Sequence, residues 1–130
     1  MAIQESGQDY LEAILIIRNR KGSVRSVDIA GELGFSKASV SAAMKTLKAG
    51  GYIEMDAHKA ILLTPKGEAL AQQMYERHLF LTDWLEYLGV DRETAEKDAC
   101  RMEHVLSVKS FESIRENVLS QYIKRSDSAV

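Results

Sequence analysis

Residues 26–48, SVDIAGELGFSKASVSAAMKTLK, hold two short helical patterns that meet at Gly34. Ser26 and Ser36 stand where a hydroxyl caps the start of a helix. Gly34 stands where a helix ends in a left-handed residue, a conformation that glycine adopts without strain. Two short helices joined by a glycine turn are typical of a helix-turn-helix. The side chains expected to face its core are Val27, Ile29, Ala30, Leu33, Val40, Met44 and Leu47.

The outer face of the second helix carries small and basic side chains. Small side chains allow a helix to approach base edges, and a capping hydroxyl beside backbone N–H groups suits a DNA phosphate. The alternative interpretation is an ordinary exposed helix, because serine, alanine and lysine are common on any helix surface. The candidate DNA contacts are Arg25, Ser36, Lys37, Ser39, Ser41 and Lys45.

Charge is distributed unevenly along the chain. The 130 residues carry a net charge of −2, yet 13–50 hold seven basic residues against two acidic ones. From 65 onward, nine basic residues stand against twelve acidic ones. Phosphate binding depends on clustered lysine and arginine rather than on the overall balance. The sequence therefore predicts a DNA-binding part followed by a part with a different task.

The flanking sequence predicts a mostly α protein with a small β-hairpin wing. We expect a winged helix-turn-helix DNA-binding domain at 1–64, an all-helical metal-binding and dimerisation domain at 65–125, and a flexible tail at 126–130. The elements outside the helix-turn-helix are a helix capped by Ser6 and ending near Arg20, a hairpin of 52–55 and 60–63, a helix from Pro65 to about Leu88, a helix capped by Asp91, and a last helix capped by Ser107 or Ser110.

Composition and cysteine content indicate a cytoplasmic protein with no membrane partner. The longest apolar run, 13–17, is far shorter than the roughly 20 residues of a membrane span. A single cysteine, Cys100, cannot form an internal disulfide and fits a reducing compartment. The predicted C-terminal helices carry more apolar surface than one small unit can bury, which predicts a homodimer. The apolar side chains concerned are Phe80, Trp84, Leu88, Phe111, Ile114 and Val118.

Three potential metal ligands follow one another at helical spacing. Cys100, Glu103 and His104 stand at i, i+3 and i+4, which places sulfur, oxygen and nitrogen donors on one side of a helix. Asp9 and Glu12 are i, i+3 neighbours that flank the apolar face of the first helix. A solvated helix edge is the alternative interpretation of this acidic pair.

His78 lies on the apolar stripe of the long helix, four residues after Met74 and seven before Leu85, so it is predicted to face inward. A buried imidazole needs a hydrogen-bonding or metal partner. A hydrogen-bonded core histidine is the alternative to a metal ligand. The residues alone leave both interpretations open.

The order of these motifs resembles the diphtheria-toxin-repressor family of iron- and manganese-dependent repressors. The matching runs are Asp-Tyr-Leu-Glu at 9–12, Leu-Thr-Pro-Lys-Gly at 63–67, Arg-His-Leu at 77–79 and Ala-Cys-Arg-Met-Glu-His-Val-Leu-Ser at 99–107. The resemblance implies a repressor of metal-uptake genes that binds a pseudo-palindromic double-stranded DNA operator as a dimer when Fe²⁺ or Mn²⁺ is bound. It implies as metal ligands Asp9, Glu12, His78, Cys100, Glu103 and His104.

The chain combines features of two branches of that family. Asp9 resembles the manganese-responsive branch, whereas Cys100 resembles the iron-responsive branch. We therefore expect a response to both Fe²⁺ and Mn²⁺, with Fe²⁺ slightly preferred and with other divalent transition metals able to substitute in vitro. At the ancillary metal position of the iron branch, Thr82 and Glu96 stand beside His78, which argues against a matching second site. In its extent the chain resembles the short, two-domain members.

Two other functions fit some of the same residues. A winged-helix regulator could respond to a small organic effector or to oxidation of Cys100. A metallohydrolase could use the same carboxylate and imidazole donors. The basic helix-turn-helix favours a regulator over an enzyme, and the sequence has neither a Ser/His/Asp arrangement nor a glycine-rich phosphate loop.

Overall fold

The computed structural model of the protein describes the backbone of residues 5–128 and the side chains of residues 6–119. The prediction of a mostly α protein with a small β-hairpin is confirmed. The chain forms two compact units, Met1–Tyr75 and Glu76–Val130. The elements are α1 Glu5–Lys21, α2 Ser26–Leu33, α3 Lys37–Ala49, β1 Ile53–Met55, β2 Ile61–Leu63, α4 Pro65–Tyr87, α5 Arg92–Val105 and α6 Val108–Ser128.

The core of the first unit is built from the apolar stripes of α1, α2 and α3. Val40, Met44 and Leu47 are buried, as the spacing i, i+4, i+7 predicts. The predicted inward position of Val27 is wrong, because this side chain is 58% exposed. Each helical residue turns by about 100°, so Val27 points nearly opposite to the buried Ile29 two positions later.

The helix-turn-helix is stabilised by local hydrogen bonds at its turn. Gly34 has a φ of 71°, and its backbone N–H donates to the carbonyl of Ala30 at 2.9 Å. Ser36 caps α3, since its hydroxyl oxygen accepts a hydrogen bond from the backbone N–H of Ser39 at 3.1 Å. The predicted turn and the predicted cap of α3 are therefore confirmed.

Two other predicted caps are wrong. Ser6 lies inside α1, which begins at Glu5, and Ser26 is the first residue of α2 rather than its cap. At the start of α2 the carboxylate of Asp28 accepts a hydrogen bond from the backbone N–H of Arg25 at 2.9 Å. A carboxylate at the third helical position accepts a hydrogen bond from a free backbone N–H at the helix start, as a capping hydroxyl does. The helix therefore starts one residue earlier than predicted.

The wing is a two-stranded antiparallel hairpin that pairs Ile53 with Leu63 and Met55 with Ile61. Ile53 and Ile61 are buried in the core of the first unit. The carboxylate of Asp56 accepts hydrogen bonds from the backbone N–H groups of His58 and Ala60 at 2.8 Å and 2.9 Å. These bonds close the loop, because aspartate readily bonds to backbone groups that follow it.

The start of α4 is anchored to the segment before the wing. The hydroxyl of Thr64 donates to the carbonyl of Gly51 at 2.6 Å and accepts from the backbone N–H of Gly67 at 3.2 Å. Lys66 lies over the ring of Tyr52, with its Nζ 4.4 Å from the ring centroid. Gly67 is buried so close to Tyr52 that a Cβ atom would lie 2.0 Å from the carbonyl oxygen of Tyr52.

The second unit contains the second half of α4 together with α5 and α6. Leu81, Ala99 and Phe111 are buried at its centre, and the rings of Phe80 and Phe111 meet edge to face with centroids 5.6 Å apart. The boundary between the units falls within α4, because Ala71 packs in the core of the first unit whereas Leu81 packs in the second.

Two helix caps in the second unit are those predicted from the sequence. Asp91 caps α5 by accepting from the backbone N–H of Thr94 at 3.0 Å. Of the two serines proposed for α6, Ser107 is the cap, since its hydroxyl accepts from the N–H of Ser110 at 3.0 Å.

The helix α6 extends to Ser128, and the last two residues of the predicted tail lie outside the described residues. No helix in the described part of the chain is long and apolar enough to cross a membrane.

The apolar residues expected at a dimer surface differ in exposure. Phe111 and Val118 are buried within the second unit, whereas Leu88 is exposed. Phe80, Trp84 and Ile114 are half-buried. Further large apolar side chains that the second unit exposes are Leu79, Val105, Val108 and Leu119.

Replacement of Gly67 by alanine tests the close approach of α4 to Tyr52. We expect Gly67→Ala to destabilise the protein by about 1–3 kcal/mol or more, because the added methyl group meets a backbone carbonyl that cannot rotate away. The measurement is the free energy of unfolding in urea. Gly31→Ala is the matched control, since a Cβ at Gly31 in α2 meets nothing within 4 Å and should stabilise by about 0.5–1 kcal/mol. Equal effects of the two substitutions would contradict this packing.

Candidate metal centre and nucleic-acid interface

Three donor side chains cluster near the end of α5. The potential ligand atoms of Cys100, Glu103 and His104 lie within 4.8 Å of one another. This proximity follows from the helix, which places residues three and four apart on one side. Glu103 has no exposure to solvent, the imidazole of His104 is 2% exposed, and Cys100 is half-buried.

His78 on α4 reaches the same carboxylate. Its Nδ1 lies 3.0 Å from Oε2 of Glu103, and Nε2 of His104 lies 3.5 Å from Oε1 of the same residue. The carboxylate of Glu103 therefore lies between two imidazoles that come from different helices. His78 is partly buried, as its place on the apolar stripe predicts.

This donor set fits a divalent transition metal. A buried ionised carboxylate is costly unless a positive charge or several hydrogen bonds compensate it. Imidazole, thiolate and carboxylate donors together suit iron, manganese and the later first-row divalent ions. A bound cation would thus stabilise the buried carboxylate of Glu103. The neighbouring side chains offer the other donors that such a cation needs.

Asp9 and Glu12 lie one turn apart on α1, in the first unit. Asp9 is half-buried, and Glu12 is buried with an exposure of 7%. Their neighbours Tyr10 and Leu11 belong to the core of the first unit. Both carboxylates therefore flank the buried face of α1, as the sequence predicts.

The residues at the expected ancillary position have other contacts. The hydroxyl of Thr82 donates to the backbone carbonyl of His78 at 2.7 Å, and this side chain is buried. Glu96 forms an ion pair with Arg92 at 3.2 Å on the surface of α5.

The structure places all six candidate DNA contacts on the surface. Arg25 stands at the start of α2, and Ser36 caps α3. The hydroxyl of Ser36 also donates to the hydroxyl of Ser39 at 2.9 Å, so its proton is already engaged. The six exposed side chains are Arg25, Ser36, Lys37, Ser39, Ser41 and Lys45.

Ion pairs divide the basic residues of 13–50 into two groups. Three of the seven are held by acidic partners within the first unit. The remaining four, which form no ion pair among the described residues, are Arg25, Lys37, Lys45 and Lys48. The paired ones are Arg18 with Glu68 at 2.5 Å and 2.8 Å, Arg20 with Glu32 at 2.9 Å and Lys21 with Asp28 at 2.7 Å.

Two of these pairs lower the pKa values of their acidic members, Glu68 and Asp28. The hydrogen bond from Arg18 holds the pKa of Glu68 below its ordinary value. The hydrogen bond from Lys21, together with that from the backbone of Arg25, does the same for Asp28. Both carboxylates are therefore ionised at neutral pH and keep their cations engaged. The four cations of 13–50 without such partners are exposed, and we expect them to be available to DNA phosphates.

Arg77, which is not among the site residues predicted from the sequence, is buried in the second unit. Its Nη1 donates to backbone carbonyls at the end of α5, beside the donor cluster. A signal was present, because Arg77 stands three residues after Met74 and four before Leu81, and both of these are buried. A charged residue on a buried helical stripe indicates a specific partner.

Fold and surfaces together define the class of the protein. It is a winged-helix DNA-binding protein that carries a cluster of transition-metal donors on helices following the wing. The chain belongs to the iron-dependent repressor family, as the sequence predicts. Residues 2–61 match the model of its N-terminal DNA binding domain, and residues 64–120 match that of its metal binding and dimerisation domain.

Individual relatives agree with this assignment. The transcriptional regulator MntR of Salmonella typhimurium is 39% identical over 105 residues, which are 81% of this chain and 67% of that protein. The HTH-type transcriptional regulator MntR of Bacillus pumilus is 33% identical over 122 residues, 94% of this chain and 83% of the relative. These relatives are transcriptional regulators rather than enzymes, which disfavours the metallohydrolase.

A solved structure supports the fold. A manganese-dependent transcriptional repressor in complex with manganese superposes with a TM-score of 0.77 at 26% identity. The match covers 85% of this chain and 51% of that one, so the chain spans about half the length of the solved structure.

The division of the basic residues predicts which of them contribute to DNA binding. We expect Arg25→Ala and Lys45→Ala each to reduce the slope of log affinity against log salt by about 0.9, the contribution of one phosphate contact. The measurement is fluorescence anisotropy with a 40-base-pair duplex between 50 and 200 mM salt. Arg20→Ala is the control, since Arg20 is engaged by Glu32 and should leave the slope unchanged. A reduction in the control as large as in the two variants would refute this division.

Proposed function

We propose that the protein is a transcriptional repressor that binds DNA when Mn²⁺ or Fe²⁺ is bound, and that it regulates metal-uptake genes. The observation that supports this proposal is the fully buried carboxylate of Glu103 between the imidazoles of His78 and His104, beside the thiol of Cys100. The other unit of the same chain exposes a basic helix-turn-helix. The chain thus combines a cluster of metal donors with a candidate DNA-binding surface.

His78, Cys100, Glu103 and His104 are the proposed ligands from the second unit. We also assign Asp9 and Glu12 to the ligand set, on the basis of their donor chemistry and their agreement with the family pattern. Oxygen donors suit Mn²⁺ and Fe²⁺ alike, whereas a thiolate favours Fe²⁺ over Mn²⁺. The protein therefore responds to both ions, and other divalent transition metals substitute in vitro.

Metal and DNA are expected to tighten each other. When bound, a divalent cation would supply positive charge that compensates the carboxylates of its ligands. A ligand that favours the DNA-binding arrangement must in turn be bound more tightly by the protein on DNA. Couplings of this kind are typically about 1–3 kcal/mol, a factor of roughly 5 to 150 in affinity.

The active species is a homodimer on a pseudo-palindromic operator, and it acts in the cytoplasm. The exposed apolar side chains of the second unit, among them Leu88, Val105 and Val108, support association of two chains. Two recognition helices α3 then address half-sites about 34 Å apart, or a multiple of that distance. We assign DNA binding to 1–64 and metal binding and dimerisation to 65–125.

Loss of either buried ligand tests the proposed function. Glu103→Gln and His104→Ala are each expected to abolish the stimulation of DNA binding by Mn²⁺, because each removes one donor from the cluster. The measurement is operator affinity with and without Mn²⁺, with size-exclusion chromatography to confirm the dimer. Glu96→Gln on the same helix is the control, since Glu96 is exposed and pairs with Arg92. An unchanged response to Mn²⁺ in both ligand variants would exclude this function.

Replacement of Cys100 by glutamate tests the choice of metal. We expect Cys100→Glu to lower the Mn²⁺ concentration needed for DNA binding relative to the Fe²⁺ concentration, because the substitution replaces the only soft donor by oxygen. The two activating concentrations are measured under anaerobic conditions. An unchanged ratio would mean that Cys100 does not set metal preference. Loss of all metal response together with a response to oxidant in the unmodified protein would favour a redox sensor instead.

A further inference from the structure

Arg77 connects three helices of the second unit at the donor cluster. It directly precedes His78 on α4 and is only 5% exposed. Its Nη1 donates to the carbonyl of Glu103 at 3.0 Å and to that of Leu106 at 2.9 Å. The guanidinium carbon lies 5.1 Å from the centroid of the Phe111 ring on α6. One side chain thus joins α4, the end of α5 and the first turn of α6.

The two carbonyls belong to Glu103 in the last turn of α5 and to Leu106, the residue that ends this helix. The last four carbonyls of an α-helix have no intrahelical N–H partner. The backbone N–H of Leu106 bonds to Met102, and Arg77 donates to the carbonyls of Glu103 and Leu106. The helix end that carries two proposed ligands is therefore tied to α4 by Arg77.

Two consecutive residues of α4 contact Glu103 at opposite ends. Arg77 bonds to its backbone carbonyl, while His78 lies 3.0 Å from its carboxylate. Backbone and side chain of the same residue are thus both restrained from one helix. Restraint of this kind fixes the direction in which a carboxylate points, and such outer contacts tune metal sites.

We infer that Arg77 is a positioning residue of the metal site, which holds the end of α5 so that Glu103 and His104 are arranged for metal before it binds. This inference rests on the proposed function. Arg77 does not itself donate to the metal. Its contribution is to reduce the ordering that metal binding would otherwise require.

The burial of Arg77 argues for such a specific role. Burial lowers the pKa of Arg77, because the charged form loses hydration. Its Nε is buried without a hydrogen-bond partner among the described residues. An apolar residue of similar volume often fills such a position at no loss of stability. Filling the core therefore does not require a polar side chain, whereas donating to two carbonyls at once does.

The sign of the change in metal affinity distinguishes positioning from charge. The guanidinium is positive and repels a cation, so loss of its charge alone should tighten metal binding. Loss of positioning should weaken it. Arg77→Met removes the charge and the hydrogen bonds but keeps an unbranched side chain, and the two effects then act in opposite directions.

The experiment measures Mn²⁺ binding by the full chain from the electron paramagnetic resonance signal of free Mn²⁺. We expect Arg77→Met to weaken Mn²⁺ binding by about 10–100-fold, the usual effect of removing an outer contact of a metal site. Leu81→Val is the matched control, because it loosens the core one turn further along α4 without touching the carbonyls. Its Mn²⁺ affinity should stay within about threefold of the unmodified protein.

Hydrogen exchange of the metal-free protein gives a second readout. Arg77→Met should accelerate exchange of the backbone amides at 103–106, whereas Leu81→Val should not do so selectively. If Arg77→Met does not fold, Arg77→Gln takes its place, because this polar side chain also removes the charge and is too short to reach the two carbonyls to which Nη1 donates. Unchanged or tighter Mn²⁺ binding in the Arg77 variant, or unchanged amide exchange, would overturn the inference. Absence of Mn²⁺ binding by the unmodified protein would instead contradict the proposed function, and the exchange measurement would still decide the positioning role.

Discussion

A carboxylate without access to solvent constrains the whole second unit. An ionised Glu103 would be too costly to bury alone, and side chains of α4 and α5 surround this residue. The helix α5 places Cys100 and His104 beside it, α4 supplies His78 and Arg77, and α6 packs the ring of Phe111 under the guanidinium. The same contacts therefore pack the helices, compensate the buried charge and bring the proposed metal donors together.

In the first unit, ion pairs with acidic residues engage three of the basic side chains. Arg18, Arg20 and Lys21 follow one another at the end of α1, yet each is engaged by a carboxylate of another element. Exposed ion pairs add little stability, so their main effect is on the distribution of charge. Among the basic residues of 13–50, those without an ion pair in the described part of the chain lie at the start of α2 and along α3, on the helix-turn-helix itself.

Sequence patterns succeeded where a few neighbouring residues determine the outcome. The spacing of Val40, Met44 and Leu47 predicted the buried face of α3. Gly34 predicted the turn that ends α2, and Ser36 predicted the cap of α3. Val27 was predicted wrongly, because in a helix of eight residues the inward direction depends on the partner that it packs against. Sequence alone gives the period of a helical pattern more reliably than its orientation.

The sequence by itself determined the order of the helices, the glycine turn and the spacing of Cys100, Glu103 and His104, because helical geometry relates residues only three or four positions apart. Tertiary structure alone decided that His78 lies against a carboxylate 25 positions later and that Arg77 bonds to the end of α5. It likewise decided which basic residues are paired. Such contacts depend on how separate elements pack, and local spacing does not contain that information.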